Sequence, residues 1–311
     1  NLYLEAWHAG LKGITTYRPN NVIGSVLELN KDARAREPQD LKDDPDRRVR
    51  LDSAPEPALE SLKWPGRPDL ANGNLAWTYM VEIPERKESF AIFIGQVGEP
   101  PVPFEVWVNG AEQPRGLGAI AKALSMDMRS EDRAWLKMKL DALARARDEQ
   151  GFAIPIPPTG ERQWQSGVVS AFANIVRFRC EQLGVFKDLD QHPTPMLHAL
   201  FSKKEPKAGP LGTMSWTVDI SNANTGDDFV LGVKELHLPD GSRRPYSIWL
   251  AGEYPKVLDG LCKLISLDMR VVDANWIGLK LKKLLNFGEQ NGEFWAPMPG
   301  AERSTQYPST V

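Results

Sequence analysis

Cysteine is scarce in this sequence, with only Cys180 and Cys262 in a chain of 311 residues. That scarcity excludes a disulfide framework and points to a reducing compartment, so a cytoplasmic location is expected. Long apolar runs are missing as well, and none approaches the roughly 18 residues that cross a bilayer. The opening "NLYLEAWHAG" has neither the basic start nor the apolar core of a secretion signal. Net charge is small, formally −3, which gives no electrostatic case for a nucleic acid or an anionic membrane as partner. Histidine is rare too. His8, His192, His198 and His237 show no i, i+4 spacing and none neighbours a cysteine, so no metal site is expected.

What the chain does contain is a sentence written twice. "LSMDMRSEDRAWLKMKL" begins at Leu124, and "ISLDMRVVDANWIGLKL" begins at Ile265. Upstream, "AWTYMVEI" from Ala76 is answered by "SWTVDI" from Ser215. "FAIFIGQV" from Phe90 is answered by "FVLGVKEL" from Phe229, and "PFEVWVNG" from Pro103 by "PYSIWLAG" from Pro245. Three tryptophan pairs correspond: Trp77 with Trp216, Trp107 with Trp249, Trp135 with Trp276. Conserved order and spacing over this length read as a duplicated domain. The length allows two domains, each burying its own core.

Each copy reads as three strands followed by two helices. In "FEVWVNG" the residues Phe104, Val106 and Val108 alternate with Glu105, Trp107 and Asn109, the period of a half-buried strand. Leu117, Ile120, Ala121, Leu124 and Met128 then fall on one helical face, matched by Leu258, Leu261, Cys262, Ile265 and Met269. Asp132 and Asp273 stand where a second helix would be N-capped. Its apolar stripe is Leu136, Leu140, Leu143 in one copy and Ile277, Leu281, Leu284 in the other. The class expected is α+β, an antiparallel meander with helices on one face. Irregular stretches follow, "EQGFAIPIPPTGERQW" from Glu149 and "EQNGEFWAPMPGAER" from Glu289. The first copy continues into a third amphipathic helix from about Ser166 to Gly184. The second copy reaches "YPSTV" where that helix would begin, so a truncated C-terminus is expected. The charged, proline-bearing residues 30–62 have linker composition, and a second linker is expected over 187–207, although "MLHALF" could form one or two helical turns.

Residues 1–29 lie outside the repeat. "LYLEAWHAG" predicts a short helix ended by Gly10, and "GITTYR" a strand stopped by Pro19. A helix and strand of this size need partners from elsewhere. "AWHAGLKGITTYRPN" resembles the last helix and strand of the ten-stranded α/β barrel in adenosylcobalamin-dependent (class II) ribonucleotide reductases, where a related Gly-Leu-Lys-Gly segment leads into the final barrel strand. "GRP", "FEVWVNG" and "GLGAIAKALSMDMR" resemble the TSCPD domain that follows that barrel, present twice in long forms. The resemblance implies a barrel end at 1–29, a linker at 30–62, one module at 63–186, a linker at 187–207 and a second, truncated module at 208–311. It implies the C-terminal segment of an enzyme that reduces ribonucleotides to deoxyribonucleotides for DNA synthesis. The partner would be the rest of the reductase polypeptide or a catalytic subunit, with self-association also open. Adenosylcobalamin would serve the complete enzyme, and none would be bound by this segment alone. The Asn-Cys-x-x-Glu type of segment that carries the radical cysteine is absent, so the fragment by itself is expected to be inactive, with no catalytic residue. By position, Thr15, Thr16, Tyr17 and Arg18 are nearest the family's barrel interior. The alternative is a separate, non-catalytic accessory subunit that docks on a reductase.

Among polar candidates, the repeated S-x-D-M-R stands out: Ser125, Asp127 and Arg129, matched by Ser266, Asp268 and Arg270. Paired arginines could hold a phosphate or carboxylate of a partner. Equally, acid and base could fasten the corner between two helices. Cys180 and Cys262 lie in amphipathic runs, where cysteine acts as a small buried hydrophobe rather than a redox pair. The matched tryptophans suit core or inter-module packing better than base stacking, which wants a basic groove.

Overall fold

The computed structural model describes residues 58–207, 212–237, 241, 243–300 and 303–311. The expected barrel helix and strand at 1–29, with Thr15, Thr16, Tyr17 and Arg18, lie outside the described residues, as does most of the first linker.

The class is α+β. Strands β1 (Leu75–Ile83), β2 (Glu88–Val97) and β3 (Val102–Glu112) form an antiparallel meander in the order β1-β2-β3. Helices α1 (Leu117–Met128) and α2 (Arg133–Leu143) follow. Then come β4 (Phe152–Pro155), β5 (Arg162–Gln165) and α3 (Val168–Gln182). A four-residue helix α4 (Pro195–His198) leads into the second half. There β6 (Ser215–Asn222), β7 (Asp227–His237) and β8 (Arg243–Glu253) form a second meander, β6-β7-β8. Helices α5 (Leu258–Met269) and α6 (Ala274–Leu284) and the pair β9 (Phe294–Pro297) and β10 (Ser304–Tyr307) complete it.

The two meanders share a register at the residues matched by sequence. Val81 lies opposite Phe90 and Ile220 opposite Phe229; Trp77 faces Ile94 and Trp216 faces Val233. Trp107 pairs with Phe93, whereas Trp249 pairs with Gly232, where a Cβ would come within 2.0 Å of the indole. Glycine at 232 is therefore what lets the Trp249 ring lie across its neighbour strand.

Capping follows the sequence signals. Asp132 accepts a hydrogen bond from the Trp135 amide (2.8 Å) and Asp273 one from the Asn275 amide (2.9 Å). Each carboxylate also holds the lead-in segment of the opposite half. Asp132 accepts from the Met196 and Leu197 amides at 2.9 and 3.0 Å, and Asp273 from the Ala58 amide at 2.9 Å.

Several expectations change. The stretches after the second helices, read as irregular, each contain a two-stranded antiparallel hairpin, β4–β5 and β9–β10. The third helix of the first half is present, two residues shorter at each end than the Ser166–Gly184 reading. The linker readings stop short: Leu62 bridges to Ser130 and Leu200 to Val271, and Ala58, Leu62, Met196 and Leu200 pack around Trp135 and Trp276. Charge and proline earlier in those stretches masked the few apolar residues that insert.

The halves do not keep separate cores. Helix α1 packs against α5 and α6, and α2 against α5. Ile92, Ile120, Leu124 and Phe172 lie in one continuous apolar cluster with Leu261, Leu264 and Ile265. Three-stranded sheets with two helices on one face leave the outer surface of those helices apolar, and each half supplies the other's cover.

The matched helix stripes also differ. Leu136, Leu140 and Leu143 are buried under α3, but Leu281 is 45% exposed. Among the described residues no helix covers α6 as α3 covers α2, so the second stripe is buried mainly at Leu284. The tryptophans divide likewise: Trp135 and Trp276 are fully buried, while Trp107 and Trp216 are 56% and 44% exposed and not core residues. No helix among the described residues is long and apolar enough to cross a membrane.

Candidate functional site

The S-x-D-M-R residues sit in the last turns of α1 and α5 and at their ends, where those helices meet the sheets and each other. Ser125 Oγ accepts from the Val106 amide (2.9 Å) and lies 2.9 Å from the Ala121 carbonyl, so the hydroxyl joins helix to strand. Ser266 does the same for the Ile248 amide at 3.0 Å. Arg129 Nε donates to the Phe104 carbonyl at 3.3 Å, and Arg270 Nε to the Tyr246 carbonyl at 3.4 Å. Arg270 also donates to the Lys203 carbonyl at 3.3 Å. Burial pushes both guanidinium groups down from their ordinary range.

The two aspartates meet at the junction of the halves, with two lysines that the sequence reading passed over. Lys139 Nζ on α2 lies 2.7 Å from Asp268 Oδ1 on α5, and Lys280 Nζ on α6 lies 2.7 Å from Asp127 Oδ1 on α1. The second contact of each lysine is longer, 3.7 Å to Asp127 Oδ2 and 3.6 Å to Asp268 Oδ2. Each ammonium also donates to a carbonyl of the opposite half, Lys139 to Leu264 (3.0 Å) and Lys280 to Ala123 (2.8 Å). The indoles of Trp135 and Trp276 donate to Asp127 Oδ1 and Asp268 Oδ1 at 2.8 and 2.7 Å. Lys139 lies 4.6 Å over the Trp135 ring centroid and Lys280 lies 5.4 Å over that of Trp276.

All four charged side chains have at most 1% of their surface accessible. Burial pushes the Lys139 ammonium down, against the pull of Asp127 and Asp268. Two cations and two anions balance in this buried junction. Such a group costs desolvation and recovers it only when every partner is in place. Its contacts join the two halves, each lysine reaching an aspartate and a carbonyl of the other. A sequence signal for the lysines did exist. Each stands four residues after a repeated tryptophan, on the same helical face, in an otherwise apolar context.

A bidentate ion pair ties the periphery. Arg115 donates to Asp227 Oδ1 and Oδ2 at 3.0 and 2.6 Å, and Thr225 and Thr310 each donate to Oδ2 at 2.7 Å. Burial pushes the Asp227 carboxyl up, but these hydrogen bonds and the Arg115 charge together hold it below its ordinary value.

Cys180 is fully buried in α3 and Cys262 is 9% exposed in α5; burial pushes both thiols up to about 12. Among the described residues no group of three or more His, Cys, Asp or Glu converges on a metal-sized site. His192 accepts from the Arg133 guanidinium at 2.9 Å, and His198 lies 3.4 Å from the Thr194 hydroxyl. His8 lies outside the described residues. Set against protein-family models, curated proteins and solved structures, the chain matches none of them.

Proposed function

We propose that this chain is the C-terminal portion of an adenosylcobalamin-dependent ribonucleotide reductase, acting in the cytoplasm as an accessory body and not as the site of chemistry. In this reading residues 1–29 finish the catalytic barrel, and the rest is a duplicated TSCPD module whose copies dock face to face. The observation that carries it is the pairing of a barrel-end segment, "AWHAGLKGITTYRPN", with two matched modules in one chain. The reciprocal Lys–Asp contacts suit a duplicated module, because each copy offers the other the same acid and the same base. The complete enzyme would reduce ribonucleotides using adenosylcobalamin held elsewhere, and the enclosed thiols here suit a segment that takes no part in radical transfer.

The test is an assay of the purified chain with ribonucleotide, adenosylcobalamin and a dithiol. No deoxyribonucleotide is expected, and turnover by the chain alone would refute the reading. An upstream coding sequence with the radical-cysteine motif would support fusion to the barrel. The second reading, a separate docking subunit, draws on the exposed Trp107, Trp216, Leu281 and Leu285. A start codon immediately before the linker would favour it.

A further inference from the structure

A cleft of about 580 Å³ opens between the end of α2 in the first half and α5 with the edge strand β8 in the second. Its size is that of a small-molecule site. Arg145 and Arg147, just past α2, and Lys263 on α5 all line it. None of the three makes a hydrogen bond or ion pair among the described residues, unlike the lysines at the buried junction. Burial pushes the Lys263 ammonium down; Asp259 opposes this, and Arg145 and Arg147 push it further down. Like charges from both halves are thus gathered in excess of the one acid that acts on Lys263.

The acids in the lining, Asp259 and Glu205, have partners of their own and are outnumbered by the cations. Asp259 accepts a hydrogen bond from Tyr254 at 3.0 Å, and Glu205 is paired with Lys234. Two further cations, Lys203 and Arg270, stand at the same cleft. Trp249 supplies an apolar wall, its ring held across Gly232 on the adjacent strand. Unmatched guanidinium groups beside an ammonium suit phosphate oxygens, which accept forked, charge-assisted hydrogen bonds. An indole wall suits a flat group attached to them.

We propose that this cleft binds a small diphosphate-bearing molecule, with Arg145, Arg147 and Lys263 on the phosphates and Trp249 against the remainder. The site exists only when the halves are docked, because its cations come from both. It does not rest on the reductase reading, since it follows from the cleft's charge and shape alone.

Calorimetric titration of the full chain with inorganic pyrophosphate at low ionic strength tests it. Saturable binding is expected, weakened roughly tenfold or more by Arg145→Ala with Arg147→Ala, and separately by Lys263→Gln, as lost charge-assisted contacts require. Lys122→Gln, at the position in α1 that matches Lys263, is expected to leave the affinity unchanged. Arg145 and Arg147 are exposed, so their variants are expected to keep the wild-type circular dichroism. Tighter binding of ADP than of pyrophosphate, reversed by Trp249→Ala, would assign the flat group to the indole wall. Equal affinity would overturn that part of the proposal. Absence of saturable pyrophosphate binding up to about 1 mM, or binding that the cleft variants leave intact, would overturn the whole.

Discussion

Lys139 and Asp268, from opposite halves of the chain, meet at 2.7 Å with neither side chain accessible to solvent. A buried charge that loses its partner costs about 3–5 kcal/mol. Asp268→Asn is therefore expected to lower the unfolding free energy by that amount in urea denaturation. Adding Lys139→Met removes the stranded ammonium, so the double variant should lose less than the sum of the single losses. Strict additivity would mean the contact carries no coupling.

The two helix stripes give a contrast within one molecule. Leu140 is fully buried beneath α3, whereas its counterpart Leu281 is 45% exposed. Leu140→Ala should cost about 2–5 kcal/mol and Leu281→Ala no more than about 0.5 kcal/mol. Similar losses at both positions would show that something covers α6 in solution.

Thiol chemistry should be silent in the folded chain. With both thiols near 12, roughly one in ten thousand is ionised at pH 8. Ellman's reagent should leave Cys180 and Cys262 unmodified over an hour and react with both once guanidinium is added. Modification within minutes under native conditions would contradict their burial.

Asp227 gives a pH dependence of definite sign. Its folded pKa lies below the unfolded value, so the ion pair with Arg115 contributes stability above about pH 3.9. That contribution is lost as the pH falls through the lower folded value. The urea-midpoint gap between wild type and Asp227→Asn should be full at pH 7 and shrink below about pH 3.9. A gap that is constant to pH 2 would remove Asp227 from the account.

Much of this architecture was legible beforehand. Period-two alternation in "FEVWVNG", the helical spacing from Leu117 to Met128, and Asp132 and Asp273 as caps each marked an element that is present. These signals are local, set by the residue and its near neighbours. What stayed hidden depends on the other half. The spacing of Lys139 and Lys280 from the repeated tryptophans marks their helical face, but not the opposing aspartate each one meets. Leu281 looks like core until the cover over α6 is found missing among the described residues. The hairpins β4–β5 and β9–β10 were obscured because each strand is only four residues long, with a proline closing β4 and β9 and polar residues filling most of β5 and β10. The cleft cations are scattered along the sequence and converge only through docking.

Differential scanning calorimetry of the whole chain bears most directly on the claim that the halves form one body. A core and a charge cluster shared between them predict a single transition for the described region, with calorimetric and van't Hoff enthalpies in agreement. Two resolved transitions, with Asp268→Asn shifting only one, would show two independent domains in loose contact and contradict the account.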